Sequence, residues 1–174
     1  MQMLDMLAVA LMVALTVKPR RPGVDSDDVV MSFKEAIAKP HNKVYVDHIR
    51  AVEKKWGIPE NLLLRLAYEE SRFRPDVVFG KKDSEKGAIG MFQMLPRFFG
   101  KRETLADWRK AAELAAAYLV KMRREFGKWE YAIKGYHCGE TDMRKMRNGV
   151  LKTGCAGPKT ADYWIKISQD VPVL

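Results

Sequence analysis

The chain is poor in cysteine and histidine: Cys138 and Cys155, and His41, His48 and His137, stand among 174 residues. Two cysteines exclude a disulfide-dense scaffold and a four-cysteine zinc site. One bridge between them is one reading; the expectation adopted is two free thiols in a chain folded in a reducing compartment. The histidines show no metal-ligand spacing with carboxylates or cysteines, so neither a metal nor a cofactor is expected. Repeats and low-complexity stretches are also missing. With 47% apolar and 30% charged residues, wholesale disorder and collagen-like structure are excluded. The length fits one compact domain with a short appendage, large enough to bury a core without staples.

Long apolar runs are equally scarce. The one present, Met6 to Val17 (MLAVALMVALTV), is followed at once by Lys18, Arg20 and Arg21. A membrane span needs about 20 such residues. A secretory signal would carry positive charge before the run and a small-residue cleavage site after it, and neither is found. Residues 1–22 are therefore expected to form an apolar N-terminal helix that docks on a partner protein or seeks a membrane. A helix packed on the chain's own core is the alternative.

What the chain has in excess is positive charge, 31 Lys and Arg against 22 Asp and Glu. The stretch from Arg97 to Lys152 holds 14 basic and 7 acidic residues, or +7 of the net +9. Such a surface suits an anionic partner: nucleic acid, lipid headgroups or cell-wall polymer. Solvated helix faces of mixed sign are the plainer reading.

Periodicity after Pro22-Gly23 is helical throughout. Ser26 with Asp27 and Asp28 reads as a cap, and Val29, Phe33 and Ile37 as the stripe of a first helix ended by Pro40. Tyr45, Ile49, Val52 and Trp56 form a second stripe, stopped by Gly57. Pro59 suits the first turn of a third helix running to about Arg72. Trp108, Ala112, Ala115, Leu119, Met122 and Phe126 mark an amphipathic helix closed by Gly127. Trp129, Ala132, Ile133 and Tyr136 mark another, and Tyr163 with Ile167 a last one. Between Asp76 and Gly90 no helical period survives, which predicts a loop or small hairpin. The expected organisation is an N-terminal segment (1–22), a helical extension of the core (23–56) and a main domain (57–170), mainly α in class.

The third helix separates two adjacent glutamates. At 100° per residue, Leu62, Leu63, Leu64, Leu66 and Ala67 define an apolar face; Glu70 falls within roughly 15° of its centre and Glu69 more than about 100° away. Glu69 should face solvent or a neighbour, and Glu70 should point inward. Burial disfavours the ionised form and raises a carboxyl's pKa, and the negative end of the helix dipole acts in the same direction. Such a group can stay protonated near neutral pH and serve as a general acid on a glycosidic oxygen. A structural pairing of Glu70 with Arg65, Arg72 or Arg74 is the competing explanation.

The flanking residues bear on that choice. Glu70-Ser71-Arg72-Phe73-Arg74-Pro75 resembles the E-S-x-F-x-P signature of the soluble lytic transglycosylases, peptidoglycan-cleaving relatives of goose-type lysozyme. Gly87-Ala-Ile-Gly90-Met91-Phe92-Gln93-Met94-Leu95-Pro96 is similar to that family's G-x-x-G-L-M-Q-x-x-P segment. Gly135-Tyr136-His137-Cys138-Gly139 stands where the family has A-Y-N-A-G, and Asp162-Tyr163-Trp164 resembles its late Y-V pair. The four fragments occur in the family's order, over roughly Trp56 to Ile167.

The resemblance implies a lysozyme-like (goose-type) helical fold in which Glu70 is the single catalytic carboxyl and Ser71 the small polar residue beside it. It implies that Gln93 lines the sugar cleft with Met91 and Phe92 as its apolar floor. It also implies that Tyr136 and Tyr163 lie near the carboxyl, their hydroxyls bonding it or the substrate. His137 replaces the family's Asn; a neutral imidazole also offers one donor and one acceptor, but its contact would be pH-sensitive. Plainer roles exist for each: core packing for Tyr136 and Tyr163, backbone capping for Gln93, loop geometry for Gly87 and Gly90.

The implied partner is the peptidoglycan glycan strand, with nucleic acid not required. The implied reaction is cleavage between N-acetylmuramic acid and N-acetylglucosamine with closure of a 1,6-anhydro ring. Hydrolysis by a muramidase using Asp76, Asp83 or Glu85 as second carboxylate is the nearest alternative, and a non-catalytic basic wall- or nucleic-acid-binding module the more distant one. The expected setting is a phage virion (tail or internal core) acting in the periplasm, with residues 1–22 contacting other virion or envelope-machine proteins or a membrane. The bacterial envelope is the alternative location.

Overall fold

The computed structural model describes residues 31–150 and 154–172. The described residues hold ten α-helices and two 3-10 turns, joined by short loops except for the long connection from Phe79 to Leu95. The helices are α1 (Phe33–Ala38), α2 (Lys43–Trp56), α3 (Leu62–Ser71), α4 (Pro75–Val78), α5 (Pro96–Phe99), α6 (Arg102–Ala106), α7 (Trp108–Phe126), α8 (Trp129–Cys138), α9 (Glu140–Arg147) and α10 (Pro158–Ser168). The described residues contain no strand, only a single antiparallel bridge between Ile89 and Met94. The mainly α, lysozyme-like class expected from the motifs stands. The apolar segment 1–22 and the Ser26 cap lie outside the described residues.

The centre of the fold is α3, whose residues Leu62 to Tyr68 are all buried. Fully burying one leucine contributes roughly 1.5–3 kcal/mol, so the Leu62-Leu63-Leu64-Leu66 cluster is a main anchor of the core. α7 runs alongside as the longest element. Asp107 caps it by accepting from the N–H groups of Arg109 and Lys110, and its inner face is small: Ala111, Ala112, Ala115 and Ala116. Alanines let neighbouring helices approach closely. Where α8 crosses, even less space remains, since a Cβ on Gly135 would meet Met122 Cε at 2.1 Å. α2, α7, α8 and α10 pack against one another and around α3 to enclose this core.

Helix ends follow the local chemistry. Gly57 takes a left-handed φ of 63° and closes α2, as its position after Trp56 suggests. Two sequence expectations need correction. The expected stripe Val29, Phe33 and Ile37 is interrupted at Ser32, which is extended: its hydroxyl and Glu35 form a reciprocal capping box that starts α1 at Phe33. Nor does Pro59 begin the third helix, because Asn61 at φ 68° breaks the chain before Leu62.

The cysteines are a third correction. Cys138 and Cys155 form a disulfide with their Cα atoms 5.3 Å apart, within the ordinary range for a bridge. Sequence separation alone could not bring them together; the fold of α9 back onto α8 does. The expectation of two free thiols does not hold.

Candidate active site

The turn after α3 explains its own sequence. Arg72 and Phe73 both sit at left-handed φ, 52° and 53°, a costly conformation for residues with side chains. Ser71 holds it in place: its hydroxyl donates to the Ala67 carbonyl at 2.8 Å and accepts from the Phe73 N–H at 3.2 Å. The Phe73 ring is buried against Tyr45 and Tyr68. Pro75 then opens α4. Ser71 is thus buried and occupied, a fastener of the turn that carries Glu70 rather than a group presented to a ligand.

Glu69 and Glu70 take different partners: Glu69 turns to neighbours as expected, while Glu70 is half-buried rather than fully inward. The Glu69 side chain, 5% exposed, bonds Arg65 at 2.8 Å and Arg72 at 2.7 Å. Arg74 pairs with Asp76 at 2.9 Å. All three arginines that could have neutralised Glu70 are therefore engaged elsewhere. Glu70 is half-buried, and its Oε1 accepts a hydrogen bond from the Tyr163 hydroxyl of α10. Burial pushes its carboxyl up to about 7; the Tyr163 phenol opposes that rise, the neighbouring Glu69 charge adds to it, and Arg72 opposes it. Burial, followed by the Glu70 charge, pushes the phenols of Tyr136 and Tyr163 well above their usual range. Both are neutral donors at physiological pH.

Across from α3, the Ile89–Met94 bridge pinches residues 90–93 into a tight turn, with Ile89 N–H to Met94 carbonyl at 2.9 Å and the return bond at 3.1 Å. Gly90 is required twice over: φ is 76°, and a Cβ would come within 2.0 Å of the Leu105 carbonyl. Gln93 is half-buried at φ 48°, its amide Nε2 donating to the Gly90 carbonyl at 3.0 Å. Met91 and Phe92, expected as the floor of a cleft, are 0% exposed and belong to the core beneath it. They shape the turn from beneath. The Tyr136 hydroxyl donates to the Phe92 carbonyl at 2.6 Å, tying α8 to the turn. Tyr136 therefore acts on Glu70 through proximity and through the wall it builds, while Tyr163 touches the carboxyl directly.

His137 stands beside them, its ring stacked on Tyr163 with centroids 4.6 Å apart. Its Nδ1 lies 3.0 Å from the Thr160 hydroxyl, which itself donates to the Gly154 carbonyl at 2.8 Å. With the hydroxyl proton committed, Nδ1 must be the donor, which leaves Nε2 as the acceptor of a neutral imidazole. Desolvation, and then the Lys86 ammonium, hold His137 below the usual imidazole range. The substitution of the family's Asn thus keeps one acceptor free and adds a ring that buttresses Tyr163.

Two contributors escaped sequence reasoning. Thr160 carried no signal of its own. Glu53 did: it falls on the inward stripe of α2 next to Ile49 and Val52. It is 2% exposed and accepts from Asn61 N–H at 3.0 Å and Leu64 N–H at 2.9 Å, capping α3 from a neighbouring helix.

The arrangement brings together a carboxyl raised to about 7, a phenol donor and a glycine-pinched turn, with no ion pair on the carboxyl among the described residues. Residues 47–153 match the family described as "Transglycosylase SLT domain". No curated protein matches the chain.

Proposed function

Since the chain belongs to the transglycosylase SLT family, whose activity is lytic transglycosylation of peptidoglycan, we propose that Glu70 alone supplies its acid–base chemistry. The observation that carries this is the Glu70 carboxyl itself: half-buried, ion-paired to no arginine among the described residues, raised to about 7 and bonded by Tyr163. A group poised near neutrality gives and takes a proton with similar ease.

With Oε1 accepting from Tyr163, the transferable proton resides on Oε2. Glu70 delivers it to the oxygen between N-acetylmuramic acid and N-acetylglucosamine as the C1–O bond breaks. The substrate's own acetamido oxygen closes on C1. Glu70, now a carboxylate held by Tyr163, takes the proton of the C6 hydroxyl, and O6 displaces the acetamido oxygen. The product is a 1,6-anhydromuramoyl end, the carboxyl is again protonated, and no water is consumed. Two of the carboxylates a hydrolytic mechanism would draw on, Asp76 and Asp83, are bound to Arg74 and Arg102, at 2.9 Å and 2.6 Å. That supports a one-carboxylate route over the two-carboxylate scheme of hydrolytic glycosidases.

Mass spectrometry of fragments released from purified peptidoglycan tests the proposal. Products one water lighter than hydrolysis products, absent with Glu70→Gln, are expected; full-mass reducing ends would reassign the chain as a muramidase. The proposed setting is delivery to the wall by a virion, or by an envelope machine, for local opening. Support comes from the apolar run Met6–Val17 with the cations behind it. Deleting residues 1–22 should then abolish co-purification with the particle while leaving digestion of isolated peptidoglycan intact.

A further inference from the structure

The Cys138–Cys155 bridge lies where it can control the site. Of the residues of α10, Thr160 and Ile167 are fully buried, and Tyr163 and Trp164 are half-buried against the core. At its far end Asp170 holds it to the start of α3, through Arg65 at 2.7 Å and the Asn61 amide at 3.3 Å. At its near end the Gly154–Ala156 turn is joined to α8 by the disulfide, and Thr160 fastens α10 to that turn through the Gly154 carbonyl. Tyr163, which bonds Glu70, sits between these two attachments. Cys138 also follows directly on His137, whose ring stacks on Tyr163.

We infer that the Cys138–Cys155 disulfide is a positioning element for the Tyr163–Glu70 pair, and that its thiol–disulfide state sets the rate of the reaction. The inference rests on the catalytic reading of Glu70 given above. Opening the bridge removes the covalent tie at the near end of α10 and leaves it held to α8 by the Thr160–His137 hydrogen bond, the His137–Tyr163 ring stack and side-chain packing. Tyr163 then withdraws from Glu70 part of the time. Formation is an exchange with a disulfide oxidant: one cysteine thiolate attacks it and releases a thiolate, and the second cysteine attacks the resulting mixed disulfide and releases another. Two protein thiols are oxidised, and the oxidant's disulfide is reduced to two thiols. A dithiol reductant runs the exchange backwards. The chain is therefore slow where thiols stay reduced and fast where they oxidise, which suits an enzyme whose substrate lies outside a reducing cytoplasm.

Besides burial, three groups set the Glu70 proton affinity, Tyr163 from α10 and Glu69 and Arg72 at its own end of α3, while Tyr136 from α8 faces the same carboxyl and feels its charge. Of these, reduction moves Tyr163. Losing that donor destabilises the carboxylate and shifts the Glu70 titration upward.

The test compares the full chain before and after dithiothreitol with the Cys138→Ala/Cys155→Ala variant. Thiol counting verifies reduction, circular dichroism follows helix content, and a carbon-13 NMR titration follows the Glu70 carboxyl. Reduction should lower kcat about tenfold, within the cost of misplacing a catalytic group by about 1 Å, with KM little changed, helix content retained and the Glu70 titration moved up. The double variant should match the reduced enzyme and ignore dithiothreitol. Equal rates and equal titrations in both states would overturn the inference, as would global loss of helix on reduction, which would make the bridge a staple of the whole fold. Should neither state cleave peptidoglycan, the catalytic reading fails by itself, and the Glu70 titration still decides whether the bridge positions Tyr163.

Discussion

Glu53 and Glu70 stand at the two ends of α3, and burial pushes both carboxyls up to about 7. Their surroundings differ in kind. Glu53, on α2, is closed off from solvent, and its oxygens accept from backbone N–H groups that open α3. Glu70, in the last turn, keeps solvent contact and has one neutral phenol as its partner. A raised pKa is common to both and so identifies neither as catalytic. Partial exposure, and an oxygen without a partner among the described residues, distinguish Glu70. The first carboxylate serves the helix, and the second uses the helix as its support.

The largest expected effect breaks this comparison at Glu70. Glu70→Gln should lower muropeptide release about a thousandfold, the usual order for loss of a general acid, with a melting temperature equal to or above that of the parent. Replacing Glu53 should do the reverse. Glu53→Ala strands two buried N–H groups, at a cost of about 3 kcal/mol in stability. Denaturant unfolding should show that loss while the rate per folded molecule holds. Glu53→Gln, whose amide still offers one acceptor oxygen, should recover part of it. A Glu53 variant that is fully stable yet inactive would overturn the division of roles.

The same comparison shows what sequence could supply. Glu70 was legible because its wheel position and its motif agree: an apolar face on one side, then the residues that build the strained turn beyond it. Glu53 was legible in principle, as a charge on an apolar stripe, yet nothing in α2 says what it caps, since its partners lie on the next helix. Helices α2, α7 and α8 could be read from their stripes, α2 and α7 also from the glycines that stop them. The short ones, α4, α5, α6 and α9, have too few turns for a period and are held by tertiary contacts. The capping box at Ser32 and Glu35 was readable, but the earlier Ser26 with two aspartates gave a stronger signal. The Met91-Phe92 pair misled for a physical reason: a glycine-pinched turn can bury the side chains of its tip, so apolar character spoke for core and not for cleft. The disulfide depended on a fold that brings α9 back, which spacing does not encode.

A smaller change sharpens the contrast without removing the acid. Tyr163→Phe keeps the ring that His137 stacks on and deletes the donor to Glu70. The carboxylate loses stabilisation, so its pKa rises and the alkaline limb of the pH–rate profile moves up. We expect about a tenfold fall in kcat, consistent with one hydrogen bond to a charged form. An unchanged alkaline limb would show that the Tyr163 bond does not tune Glu70.

The smallest effect concerns stability against pH, where the two glutamates should behave alike and then separate. Each has a folded-state pKa near 7 against an ordinary value of 4.5. Between these values the folded state binds more protons than the unfolded one, so stability falls as pH rises and levels off above the folded pKa. A shift of that size, if realised in full, would be worth roughly 3 kcal/mol. Solvent reaches Glu70 and lessens its share to about 1 kcal/mol. Glu70→Gln should therefore be more stable than the parent at pH 8 by about that amount, with the gap closing by pH 5. Glu53→Gln should bring no gain at pH 8, because the anion it removes is the one the Asn61 and Leu64 N–H groups hold. Chemical denaturation of the parent and both variants from pH 4.5 to 8 measures this directly. Parallel curves for the two variants would mean that both sites are governed by burial alone and that the backbone donors at Glu53 count for nothing.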